Sequence, residues 1–456
     1  MTDVAPTGRR RRSSQAFGSR AAAVSRLGWP VRLALGVAPL VLCLAHLTFG
    51  ANQVAASLWL TALCAIGLVV ALSTPLRIGL YDLVPSLPVV VLFGLTLAVA
   101  AWTLTPWAPG GAHPIWAWAG ISRGAITVDR SQTVLEMVKL CGLACLFGLG
   151  ALQGLSRDRA LATLKAIVWT GGGYALVSLI TFVAGVQIAV GDRLSGGFLS
   201  ANSGATVFGI LTVLALALFL RGWQKNAGLG LSRRITTVAG PLACLSLSAV
   251  CLVLTQSRMG LAATFVAAGA LLVWTFAQNP KGKASAIVAG LIMLVLGGVL
   301  FFGGNALVWT RIDALDADAT IRGQIFAAHW QAFLASPLFG YGLGSFDPVN
   351  LQVITAENAS TLWPIRATHN VYLQWLQEAG LVGAIPMFLL IATILGLSVW
   401  RSGGVRGTRT PLHGLICASL VILLHGLTDY ALQVPSIAAL WTFLLGLQFA
   451  YGQGRG

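Results

Sequence analysis

Apolar runs of about 20 residues recur along almost the whole chain, and each is long enough to cross about 30 Å of hydrocarbon as a helix. They lie near 31–50, 55–73, 87–105, 133–154, 160–186, 202–220, 236–255, 260–277, 284–303, 381–400, 411–430 and 434–451. Inside a bilayer every backbone N–H and C=O needs a partner within the protein, which restricts such runs to helices. Composition agrees: 57% of residues are hydrophobic and 9% charged, against about 25% charged in a soluble domain. The expected fold is an all-α polytopic membrane protein with about twelve transmembrane helices.

Lys and Arg are retained on the cytoplasmic side of short loops, so their positions set the orientation. The RRRR tract of the 1–30 segment places the start inside. Alternating from there, the inner loops hold Arg77, SRDR (156–159), RGWQKNAGLGLSRR (221–234), NPKGK (279–283) and RSGGVRGTR (401–409), and all are basic. Both termini are then cytoplasmic. The expected organisation is a basic tail at 1–30, spans one to nine at 31–303, a large outer loop at 304–369, and spans ten to twelve with a short inner end at 370–456.

A net charge of +16 invites a nucleic-acid reading, but much of it lies in juxtamembrane loops, where it sets topology and attracts anionic lipid. Nucleic acid is therefore not an expected partner, and membrane lipids are. All seven cysteines fall within the apolar runs, so no disulfide framework is implied. Cys141 and Cys145 share a helix face, but no acid or His accompanies them to make a metal site.

The acidic residues are distributed unevenly. Asp129, Asp192, Asp313, Asp316, Asp318, Asp347, Glu357 and Asp429 map to the outer side or its rim, with Glu136 and Glu378 near it. Chemistry is expected on that face. A transporter ordinarily carries ionisable groups near the bilayer midplane, which here is nearly free of charge. The 304–369 loop is far longer than an ordinary connection, a sign of function or disorder. Its DATIRGQIFAAHWQAFLAS stretch (318–336) reads as a helix capped by Asp318 or Thr320 and stopped by Pro337. Ile321, Ile325, Ala328 and Ala332 form its apolar face. Arg322 and His329 occupy another, facing either a phosphate or sugar ligand or lipid headgroups. PLFGYGLGSF (337–346) follows as a tight glycine-rich turn.

Arginines mark the outer side: Arg123, Arg130, Arg193, Arg258, Arg311, Arg322 and Arg366. Their planar forks suit a diphosphate, although single arginines at this level also serve as interface anchors. His425 and Asp429 stand one helical turn apart, close enough to hydrogen-bond, as either a structural pair or a catalytic dyad. Residues 364–386, PIRATHNVYLQWLQEAGLVGAIP, place His369, Asn370, Gln374, Gln377 and Glu378 before span ten. They read as a half-wet helix at the outer interface, anchored by Tyr372 and Trp375.

In order along the chain, GDRLSGGFLSAN, the TQSRMG turn, Arg322 with FGYGLGSF, THNVYLQWLQEAGLVG and HGLTDY resemble the O-antigen ligase and polysaccharide polymerase (Wzy-like) family of bacterial inner membranes. The likeness covers roughly 190–446. It implies a membrane glycosyltransferase of the GT-C-like, lipid-linked-donor type that moves a glycan from undecaprenyl diphosphate to a saccharide or lipid A core acceptor in the periplasm. It further implies His369 as the group activating the acceptor hydroxyl, Asn370 orienting it or the sugar, and Arg193, Arg258 and Arg322 on the donor diphosphate, with no metal or cofactor. Glu378, His425 and Asp429 join the expected substrate-binding set. A ligase and a polymerase differ only in acceptor, and the sequence leaves both open. The alternative class is a multi-span transporter for a small anion, or a flippase for a lipid-linked glycan.

Overall fold

The computed structural model describes residues 29–77, 86–187, 191–277, 284–285, 288–290, 292–293, 312–403, 409–451 and 453. The tail expected at 1–30, the ninth apolar run, the NPKGK loop and Arg311 lie wholly or mostly outside these residues. Among them the secondary structure is helical throughout. In chain order the α-helices are α1 (Trp29–Leu47), α2 (Val54–Leu72), α3 (Leu87–Trp102), α4 (Ile115–Trp118), α5 (Arg130–Gly154), α6 (Arg157–Val183), α7 (Ala201–Lys225), α8 (Leu231–Leu254) and α9 (Arg258–Ala277). They continue as α10 (Ile312–Ala335), α11 (Phe346–Val353), α12 (Ala359–Leu362), α13 (Val371–Ser402), α14 (Arg409–His425) and α15 (Pro435–Ala450).

Among the described residues seven helices, α2, α5, α6, α7, α8, α9 and α13, are long and apolar enough to cross a membrane. Four shorter apolar stretches, Gly36–Leu47 of α1 together with α3, α14 and α15, coincide with further expected runs. The chain is a multi-pass membrane protein.

The centre of the bundle is α7, buried along nearly its whole length and packed against α8, α9 and α14. The helices α5 and α15 pack closely against each other. A Cβ on Gly150 would stand 2.3 Å from the Phe443 carbonyl oxygen, and one on Gly154 2.5 Å from that of Leu447. Two backbones meet there because no side chain intervenes. Hydrocarbon supplies no hydrophobic drive between helices, so contact of this kind is what holds them.

The expected helix at 318–336 is present but begins earlier, at Ile312. The expected tight turn follows it, with positive φ at Gly340, Gly342 and Gly344. It lies against a break in α13 at Gly380, where φ is 59° and ψ −175°. Tyr341 and Gly342 N–H donate to the Gln377 and Glu378 carbonyls at 3.1 and 2.8 Å, and Leu381 and Val382 N–H donate to those of Pro337 and Leu338 at 2.8 and 3.0 Å. The break thus exchanges backbone bonds with the turn, which takes up main-chain groups that the helix leaves unpaired there.

Candidate functional site

The beginnings of α7, α9 and α13 and the end of α14 bring most of the expected site residues to one end of the bundle. Asn370 caps α13, its Oδ1 accepting from Tyr372 and Leu373 N–H at 3.0 Å each. The Thr368 hydroxyl donates to the Asn370 carbonyl at 2.7 Å, and Val371 N–H reaches the Gly426 carbonyl of the α14 end at 2.9 Å. Between these anchors His369 takes φ 55°, a left-handed conformation uncommon for a side chain with Cβ, though His is among those that tolerate it. Asn370 Oδ1 is thus engaged in capping the helix.

His369 is half-buried and meets Tyr430 edge-on, with ring centroids 4.9 Å apart. Burial, and then the nearby Arg322 charge, push its pKa down to about 4. It is neutral at physiological pH and holds a free lone pair. Arg322, half-buried on α10, is close enough to act on it electrostatically.

Arg193 is fixed from two sides: its Nε donates to the Thr255 carbonyl at 2.8 Å and its Nη2 to Asn202 Oδ1 at 2.9 Å. Arg258 opens α9 three residues beyond Thr255 and is half-buried. His425 and Asp429 do not form the pair their spacing allowed. His425 Nδ1 lies 2.7 Å from Thr206 Oγ1 of α7, while the buried Asp429 carboxyl has both oxygens without a hydrogen-bond partner of good geometry. Asn202, Thr206 and Tyr430 belong to this neighbourhood, and composition and spacing gave no separate signal for them.

Three expectations change. The polar residues after His369 are not half-wet: Gln374, Gln377 and Glu378 are buried. Glu378 faces protein donors, accepting from Gly344 N–H at 2.7 Å and Gln374 Nε2–H at 2.9 Å. His329 does not meet headgroups either. It is fully buried, stacks on Phe346 with centroids 5.0 Å apart and donates from Nδ1 to Gln377 Oε1 at 2.6 Å. Burial lowers its pKa against the opposing bond to Gln377. Ile321, assigned to the apolar face, is exposed, while Ile325 and Ala332 of that face are buried.

Beside the site runs a cavity of about 770 Å³ walled by α2, α3, α5, α13, α14 and α15. Tyr372, Gly426 and Gln433, neighbours of His369 and Tyr430, belong to its wall, which is otherwise largely apolar and reaches Leu395 and Phe449. The Glu136 and Lys139 ion pair, 2.6 Å apart, also lines it. The α14 end stands between this cavity and the α7 and α9 helices.

Residues 242–389 match the family model described as O-antigen ligase. No curated protein matches the chain. The matched stretch contains Arg258, Arg322, His369, Asn370 and Glu378, and leaves Arg193, His425 and Asp429 on either side. An apolar helical bundle carrying that stretch makes the chain a multi-pass membrane protein with a segment similar to the O-antigen ligase family.

Proposed function

We propose that the protein works on the periplasmic side of the bacterial inner membrane, with both termini cytoplasmic. There it transfers a glycan from an undecaprenyl-diphosphate-linked donor to a saccharide acceptor. The observation that carries this reading is His369: a neutral imidazole within the field of Arg322, two residues before Val371 of the apolar cavity wall.

Nucleotide sugars are confined to the cytoplasm, so a donor used outside must be anchored in lipid, its phosphates at the membrane surface. Arg193, Arg258 and Arg322 supply positive charge for those phosphates. His369 takes the proton of the acceptor hydroxyl as its oxygen bonds to the anomeric carbon. The bond from that carbon to the diphosphate oxygen breaks, the diphosphate leaves with the electron pair, and configuration inverts. The donor also tunes the base. A bound diphosphate offsets the Arg322 charge that depresses His369, so the imidazole becomes more basic when donor is in place. The cavity houses the hydrocarbon of a lipid-linked substrate, keeping its head beside His369.

Reconstitution in liposomes with a lipid-linked donor and a saccharide acceptor tests the reading. His369→Ala is expected to insert normally, abolish transfer and leave donor unconsumed; retained transfer removes His369 from the mechanism. The glycan profile of a deletion strain then decides the acceptor: unextended lipid A core marks a ligase, and loss of long polymer marks a polymerase.

A further inference from the structure

Glu378 and Gln374 are not needed for any step above, yet both are buried, at 6% and 4% exposure, in a helix that begins in a largely apolar bundle. Their hydrogen bonds form one directed chain. Gly344 N–H of the glycine-rich turn donates to Glu378 Oε2 at 2.7 Å. Gln374 Nε2–H donates to Glu378 Oε1 at 2.9 Å, and Gln374 Oε1 accepts Thr368 N–H at 3.3 Å. Thr368, itself fully buried, in turn holds the Asn370 carbonyl through its hydroxyl. The chain therefore runs from the turn after α10 to the residue before His369, the one described residue of the α13 entrance with left-handed backbone. Glu378 forms part of the cavity wall, but both of its oxygens are taken by protein donors.

We infer that Glu378 and Gln374 are positioning residues for glycosyl transfer: the relay Gly344, Glu378, Gln374, Thr368 ties the backbone conformation of His369 to the docking of the turn that follows α10. This rests on the proposed role of His369 as the base. Because α10 carries Arg322, the same relay sets the base and one of the arginines in a common frame. The carboxylate is the group the chain requires, since it accepts from both sides and lets Gln374 turn its own oxygen to Thr368. An amide at 378 still accepts from Gly344, but its NH₂ then opposes that of Gln374.

The direction of the relay supplies its own test. Glu378→Gln breaks one link, and Gln374→Glu places two carboxylates together. The exchange pair, Gln374→Glu with Glu378→Gln, restores every link: the carboxylate now at 374 accepts from Thr368 N–H and from the amide at 378, whose oxygen keeps Gly344. Transfer is measured on the full chain in liposomes, with thermal unfolding in detergent as the control. Each single variant is expected to lower kcat about 10-fold with KM for donor within about 2-fold, and the exchange pair to return kcat to within about 3-fold of wild type.

Wild-type kcat in both single variants overturns the relay. So does an exchange pair that unfolds like wild type yet is as slow as the singles. A raised KM at constant kcat would mean instead that Glu378 touches substrate. Should the single variants fail to insert, the exchange pair alone decides, since only an intact relay predicts near wild-type kcat there. His369→Ala in the same assay separates the two ideas: retained transfer sinks the His369 mechanism, whereas a dead His369→Ala beside fully active single variants sinks only the relay.

Discussion

His369 holds a left-handed backbone conformation that costs a residue with Cβ about 1–2 kcal/mol, and its neighbours hold it there. Asn370 caps the helix, Thr368 braces the Asn370 carbonyl and Val371 is tied to Gly426. Asn370→Ala removes the cap, so a loss of about 1 kcal/mol in stability is expected from thermal unfolding, with kcat falling further than stability alone accounts for. The electrostatics give a pH prediction. His369 is pushed down to about 4 by burial and Arg322, and the proposed base would act in its neutral form. Lowering pH therefore leaves activity level until pH approaches that value, then removes it by protonation. Arg322→Gln takes away one of the two causes, so the acid limb of kcat/KM is expected to move to higher pH, with KM for donor rising as a diphosphate contact is lost. An acid limb that stays in place would detach Arg322 from His369. At this scale the polar motif around His369 was legible because polar groups before an apolar run are costly unless paired or used. The partners of Arg193 and His425 were not, because Thr255, Asn202 and Thr206 are distant in sequence.

At the scale of elements, α13 is broken where Gly380 adopts φ 59° and ψ −175°. A Cβ at Gly380 would lie 2.3 Å from the Leu338 carbonyl oxygen, in backbone territory nearly exclusive to glycine. Gly380→Ala is expected to detach the 337–344 turn, costing about 1–3 kcal/mol and most transfer activity. Limited proteolysis should then cut the 337–344 turn in the variant and spare it in wild type. The turn chemistry of PLFGYGLGSF was visible in its glycines. The docking of that turn on α13 was not, since nothing in either segment names the other. The same gap explains His329: helical periodicity put it on a polar face, but Gln377 and Phe346 come from other elements and complete its burial.

Across the whole molecule, stability depends on backbone contact between helices. A Cβ on Gly446 would approach the Phe147 carbonyl oxygen to 2.1 Å, so Gly446→Val should force α5 and α15 apart. A loss of about 1–3 kcal/mol or more is expected, read as a lower unfolding midpoint in detergent. The proposed orientation makes a separate prediction: alkaline phosphatase fused within 340–360 should be active, and an inactive fusion would reverse the inside and outside assignment. What the sequence alone determined was membrane residence, helical class and a polar motif around His369. Each follows from local physics, namely the length of an apolar run, the need to satisfy its backbone, and the cost of ionisable groups near hydrocarbon. Only the tertiary structure decided which of those polar groups face one another. Arg193 turns to Asn202, His425 to Thr206 and Glu378 to Gly344, because hydrogen-bond partners across a bundle are chosen by how helices pack, which no periodicity along the chain records.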